Sequence, residues 1–314
     1  MSTVASSLDA IERAAGALEG RAERDIPLGP LTTYRVGGAA ALFVRATSID
    51  DLLAVAAARR ASGLPVLVVG CGSNLLVADQ GFPGIALSVA DLAGDVTVDD
   101  ASVARAGGGV KLPVLARRTA ALGLTGFEWA VGVPGSVGGA VKMNAGGHGS
   151  DMAACLLDVE VLDLAVAAPV VATRPAGALG LRFRASDLGD DEVVLAARLQ
   201  LAPGDQAASE ATISEIVRWR REHQPGGQNC GSVFVNPVPG EVSAGGLIDG
   251  LGLRGFSIGT AWVSDKHANF VQAADGGRSA DVRAVIEEVR SRVAAGTGYQ
   301  LRSEVRLVGF EDAS

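Results

Sequence analysis

At 314 residues the chain exceeds the size at which a single hydrophobic core keeps growing, so it should contain two or three packed domains. Hydrophobic residues at 48% and charged residues at 20% exclude a disordered chain, and a net charge of −8 without any Lys/Arg run excludes a nucleic-acid partner. Three scattered cysteines (Cys71, Cys155, Cys230) and three scattered histidines (His148, His223, His267) fit reduced thiols and no metal site.

Residues 1–20 carry Asp9, Glu12 and Arg13 and lack the basic and then apolar regions of a secretory signal. No run of about 18 apolar residues occurs, so a cytoplasmic chain without a membrane partner is expected. Apolar runs at 41–44 and 66–69 read as buried strands. Between them, Ser48 and Asp51 form a capping-box signature, and Ile49, Leu52, Leu53, Ala56 and Ala57 follow at helical spacing. From about 95 to 205, β-rich segments such as 159–164 and 193–201 alternate with Gly/Pro turns, while 112–122 reads as helix. Pro203-Gly204-Asp205 precedes a helix carrying Ile213, Ile216, Val217 and Arg220. Ser279 is the expected N-cap of a helix with Val282, Val285, Ile286 and Val289 on one face, and a strand follows at 304–308. These breaks predict an α+β protein divided at 1–95, 96–205 and 206–314.

Glycine is the compositional outlier, with 42 residues where the usual share of roughly 7% predicts half as many. Gly70-Cys71-Gly72-Ser73-Asn74 follows a predicted strand, where small residues let backbone N–H groups approach a diphosphate; a plain tight turn is the alternative. Leu75 replaces the third glycine of a G-x-G-x-x-G fingerprint, which argues against NAD binding by that motif. A longer segment holds Gly132, Pro134, Gly135, Ser136, Gly138, Gly139, Asn144 and Gly146. So many glycines weaken any regular element and point to backbone that wraps a ligand, with a surface linker as the bland alternative. Ser232 follows Gly231 and precedes alternating apolar residues, which could place its hydroxyl at a strand edge or leave it purely structural. Arg184 and Glu304 are each interleaved with apolar residues; a partly buried functional charge and a surface salt bridge both satisfy that pattern.

Together these segments resemble the MurB family of UDP-N-acetylenolpyruvoylglucosamine reductases. The likeness runs from Thr33-Tyr34-Arg35-Val36-Gly37-Gly38 through the two glycine segments, the Arg184 region, Cys230-Gly231-Ser232-Val233-Phe234 and Lys266-His267-Ala268-Asn269-Phe270 to Glu304-Val305-Arg306. The resemblance implies a two-subdomain FAD-binding module of the PCMH/VAO-like type followed by an α+β substrate-binding domain. It implies non-covalent FAD, NADPH as hydride donor and a UDP-enolpyruvyl sugar as substrate, with no obligate protein partner. Residues 70–74 and 132–146 would surround the flavin. Ser232 would be the general acid, Arg184 and Glu304 would act on the substrate carboxylate and enolic intermediate, and Asn236 would contact the substrate diphosphate. The segment after Arg184 lacks an extended tyrosine-bearing loop, which resembles the shorter of the family's two types. A flavin oxidase or dehydrogenase of an alcohol or hydroxy acid on the same fold is the alternative.

Overall fold

The computed structural model describes residues 2–310, with side chains from residue 8 onward. Met1 and residues 311–314, the two ends of the predicted outer stretches, lie outside the described residues. The chain forms two compact units, the first comprising Met1–Ile26, Ala41–Cys71 and Pro83–Trp219, the second Pro27–Ala40, Gly72–Phe82 and Arg220–Ser314.

In chain order the first half carries α1 (Ser2–Ala17), β1 (Ala22–Pro27), β2 (Ala39–Arg45), α2 (Ile49–Ser62), β3 (Val66–Val69), β4 (Leu75–Val77), β5 (Phe82–Ser88), β6 (Val96–Val98), β7 (Val103–Gly107), α3 (Leu112–Ala121) and α4 (Val137–Lys142). The second half adds α5 (Gln206–His223), α6 (Ala244–Gly250) and α7 (Ser279–Thr297) among short strands.

The first unit contains a four-stranded sheet in the order β1-β2-β5-β3, with β3 and β5 parallel and Val66 opposite Ile85. The capping box at α2 forms as the sequence requires: the Ser48 hydroxyl accepts the Asp51 N–H, and the Asp51 carboxylate accepts the Ser48 N–H. Gly63, at φ +74°, ends that helix in the left-handed conformation that favours glycine. The buried face of α2 is rotated from the expected one. Leu52, Val55, Ala56 and Ala58 are buried, whereas Ile49 and Leu53 are exposed. α2 is in close contact with α1, and a buried face that includes the small Ala56 and Ala58 is a choice that hydrophobic spacing alone does not make.

A second sheet of the same unit has five strands, in the order Val171–Pro175, Leu156–Asp163, Glu192–Gln200, β7, β6. Its alternating residues Val159 and Val161 pack with Ala197 and Leu199 and with Leu112, Leu115 and Ala116 of α3 in one apolar core. A separate core joins α1, α2 and the first sheet through Leu18, Leu42, Leu52, Val55 and Ile85.

In the second unit β4 runs parallel to Arg306–Val308, and a three-stranded sheet orders Ser257–Ile258, Ala261–Val263 and Val271–Ala273. Val282, Val285, Ile286 and Val289 of α7 bury the predicted face against Val263, Val271 and Ile248. Ser279 is the first residue of α7 and not its N-cap. The distant Asp79 does the capping: its carboxylate takes the Ser279 N–H at 2.8 Å, the Ser279 hydroxyl at 2.9 Å and the Ala280 N–H at 3.1 Å. A negative charge there also suits the helix dipole.

Candidate active site

In the first unit the two glycine segments meet. A Cβ at Gly70 would stand 2.6 Å from the Ser136 Oγ, so only glycine lets the end of β3 lie this close to the head of α4. Ser136 is buried and caps α4 by accepting the Gly139 N–H. The next amides are spent inside the protein, Val137 N–H on the Val110 carbonyl and Gly138 N–H on the Gly108 carbonyl, both at 2.9 Å. Leu112 N–H is bonded in turn to the Gly135 carbonyl at 2.9 Å. Residues 132–146 are therefore an anchored platform, which disposes of the linker reading, and its glycines still permit the short helix α4. Gly132 is buried while Pro134 and Gly139 are exposed on that platform.

Asn144 and Gly146 close it. Asn144 is buried at φ +39°, and its side chain is engaged within the protein: Nδ2 donates to Asp151 and to the Arg182 carbonyl, and Oδ1 accepts the Ala153 N–H. Arg184 does not lie on a strand, contrary to the alternating pattern around it. Arg182 and Ala185 exchange backbone hydrogen bonds of 3.0 Å, which puts Phe183 and Arg184 at the tip of a tight turn with Arg184 at φ +55°. An Arg in the left-handed region is strained. The turn is docked on the platform by Asn144 and by the Arg184 guanidinium, which donates to the Gly146 carbonyl at 2.8 Å. Phe183 lies against the same guanidinium, its ring centroid 4.9 Å away. Cys71 is half-buried; burial pushes its thiol up, and the positive Lys111 partly opposes that.

Gly72, Ser73 and Asn74 belong to the second unit. Gly72 has φ +59°, and a Cβ there would meet the Leu31 carbonyl oxygen at 2.1 Å. Asn74 Nδ2 donates to the Glu304 carbonyl at 2.8 Å, and the Glu304 N–H donates to the Val233 carbonyl at 2.8 Å. Glu304 is half-buried and precedes the last strand, which begins at Arg306 and not at 304. Val233 follows Ser232, so this backbone bond, together with Val235 N–H to the Arg302 carbonyl at 3.0 Å, holds the general-acid candidate and the carboxylate candidate on neighbouring segments. Residues 231–236 form no strand; a single bridge pairs Phe234 with Ser303. Ser232 is exposed and, with Asn236, lines a cavity of about 320 Å³. Asn236 Oδ1 accepts the Ala244 N–H at 3.0 Å, which fixes its amide and leaves Nδ2 as the donor.

The same cavity is lined by three residues that motif reading did not assign, Arg254, Lys266 and His267. Arg254 is paired with Asp249 at 2.5 Å and 2.9 Å. His267 Nδ1 accepts the Asn269 N–H, which puts its remaining proton on Nε2. Burial, then the positive Arg254, holds this imidazole below its ordinary value, so it is a neutral donor near pH 7. The Lys266-His267 signal was visible in the sequence, but nothing local showed that it reaches the cavity of Ser232.

Among the described residues, the amides of Gly70 to Asn74 donate to no protein acceptor. Five successive small or polar residues with amides left over suit an anionic diphosphate, so the loop fits the phosphate part of a flavin dinucleotide. No group of His, Cys, Asp and Glu among the described residues could hold a metal ion.

An α+β chain with a dinucleotide-type loop and an anchored glycine platform is a flavin-dependent oxidoreductase, and residues 40–166 match an FAD binding domain profile. Residues 223–308 match the profile of the UDP-N-acetylenolpyruvoylglucosamine reductase C-terminal domain. The chain is 41% identical over 314 residues to such a reductase from Synechococcus sp. strain WH7803, covering 99% of both chains. To the Gloeobacter violaceus reductase it is 42% identical over 287 residues, 90% of this chain and 95% of the relative. The crystal structure of the reductase from Thermus caldophilus superposes with a TM-score of 0.75 at 33% identity, over 92% of this chain and 99% of that one. The chain belongs to the UDP-N-acetylenolpyruvoylglucosamine reductase family. FAD is its cofactor, and full-length likeness to reductases disfavours the alcohol or hydroxy-acid oxidase alternative.

Proposed function

We propose that the protein reduces UDP-N-acetylenolpyruvoylglucosamine with NADPH to UDP-N-acetylmuramate, a step of peptidoglycan precursor synthesis. The observation that carries this reading is the family likeness over 99% of the chain. When bound, FAD would supply hydride-relay chemistry between NADPH and C3 of the enolpyruvyl group. The residues from 70 to 74 and from 132 to 146 hold it without a covalent tether, mainly through backbone.

Arg184 orients the substrate carboxylate. Its guanidinium is pre-aimed by the Gly146 carbonyl and the Phe183 ring, so little reorganisation is needed as charge develops on that carboxylate. Glu304 is held by backbone on both sides and stabilises the enolic intermediate. Ser232 delivers a proton to C2 after hydride transfer. Asn236 Nδ2 reaches a diphosphate oxygen, and Lys266 gives the cavity a positive group while Asp249 pairs with Arg254. In domain terms, residues 1–95 and 96–205 act as the two FAD subdomains and 206–314 as the substrate domain. NADPH and UDP-sugars are cytoplasmic metabolites, which places the reaction there, with no nucleic-acid, membrane or obligate protein partner.

The test is anaerobic. Purified protein should be yellow, lose its flavin absorbance on adding NADPH, and regain it on adding the enolpyruvyl sugar with formation of UDP-N-acetylmuramate. Flavin that is reduced by NADPH but not reoxidised by that sugar removes the proposed substrate.

A further inference from the structure

Lysine is scarce in this chain, with three among 27 Lys and Arg residues. Lys142 donates to the Leu188 carbonyl and to Asp190, and Lys266 donates to the Arg221 carbonyl. The third, Lys111, is exposed, and among the described residues its ammonium joins no hydrogen bond or ion pair. Its backbone pairs with Ser136 as an isolated antiparallel bridge. The two bonds that frame the bridge, Leu112 N–H to the Gly135 carbonyl and Val137 N–H to the Val110 carbonyl, are made by the flanking residues. Lys111 and Ser136 are therefore the closer, non-hydrogen-bonded kind of pair, with both side chains on one face. On that face the Ser136 side chain points at Gly70: its Oγ lies 2.6 Å and its Cβ 3.7 Å from where a Gly70 Cβ would stand. A lysine stem that begins beside Ser136 thus runs along the junction of the two glycine segments. The Cys71 thiol, one residue beyond Gly70, feels the positive charge of Lys111.

We propose that Lys111 is the cation that binds the diphosphate of the flavin dinucleotide, reaching it from the Ser136 side of the junction. The platform needs such a group. Its Val137 and Gly138 amides are spent on the Val110 and Gly108 carbonyls, and Lys142, the one basic residue of 132–146, is held by Leu188 and Asp190. Backbone N–H groups supply only partial charges, whereas an ammonium neutralises a phosphate oxygen as a point charge on a flexible stem. Exposure is consistent with that role: the ammonium stays hydrated until the cofactor arrives, so the apoprotein carries no buried unpaired charge at this point. The inference rests on the reading of residues 70–74 and 132–146 as the flavin surround.

The experiment compares FAD-loaded wild type with Lys111→Met and Lys111→Arg. Recovery of free-flavin fluorescence on dilution gives the FAD dissociation constant at low and at high salt. At low salt Lys111→Met should hold FAD about 5- to 12-fold more weakly, between the effect of an exposed ion pair and that of a charge-assisted hydrogen bond. Lys111→Arg should stay near wild type, because it keeps the charge. High salt should narrow the gap between Lys111→Met and wild type, since an exposed charge contact is screened. In parallel, alkylation of the wild-type thiols is mapped by mass spectrometry with and without FAD, and FAD should shield Cys71. Native FAD affinity in Lys111→Met at low salt, with Cys71 shielded, overturns the lysine contact alone. A deficit in Lys111→Met that arginine does not restore and salt does not narrow also overturns it, as lost packing would produce. Native FAD affinity together with a raised KM for NADPH would move the ammonium to the phosphates of the hydride donor. Equal alkylation of Cys71 with and without FAD removes the reading of the glycine loop and this inference with it.

Discussion

Ser232→Ala separates chemistry from folding. Ser232 is exposed in its cavity and its hydroxyl holds no protein group in place among the described residues, so removing one oxygen should change stability by no more than about 0.5 kcal/mol. A general acid for C2 acts only after the hydride has reached the substrate, and such groups contribute about 10² to 10⁴ in rate, about 3 to 5.5 kcal/mol of barrier. Stopped-flow absorbance on the variant should therefore show native reduction by NADPH followed by reoxidation slowed by that factor. Ser232→Cys should keep part of the rate through its own proton. Equal slowing of both phases, or of neither, would refute the assignment and pass the proton to Glu304 or to a water.

Arg184→Lys should lower kcat by about 10²- to 10³-fold, because an ammonium cannot reproduce a planar fork aimed by Gly146; steady-state turnover near native would return Arg184 to a packing role. Gly72→Ala forces a Cβ to within 2.1 Å of the Leu31 carbonyl oxygen at φ +59°, so a loss of about 1–3 kcal/mol is expected in denaturant melts, together with a lower flavin-to-protein ratio. An unchanged melt would mean the loop can shift freely. Burial pushes the Cys155 and Cys230 thiols from their ordinary 9.0 to about 12. Because the folded state favours the protonated thiol, that stability is fully present below pH 9 and is lost as pH rises from 9 towards 12. Urea melts across this window should show the decline, and Cys155→Ala should flatten part of it.

Much of this protein is determined by local sequence. Ser48 and Asp51 specify the start of α2 because a capping box needs only residues three apart, and Gly63 specifies its end because only the backbone at that position is involved. The periodic valines of α7 likewise specify a buried face from helical spacing alone. The order of the glycine segments, Ser232, Arg184 and Glu304 carries the family and so the cofactor.

Contacts distant in sequence are decided by tertiary structure. Segments 27–40 and 72–82 join the C-terminal unit, an excursion that no composition shift announces. Asp79 caps a helix 200 residues later, and the expected cap Ser279 becomes one of the groups it binds. The alternating residues around Arg184 have strand periodicity, yet docking on Asn144 and Gly146 bends them into a turn tip. Lys266 and His267 reach the cavity of Ser232 only because sheet and helix packing closes a loop of many residues between them. Caps and periodicity are set by neighbours a few residues apart and cost little chain entropy, whereas these pairings need the whole core in place before they bring any stabilisation.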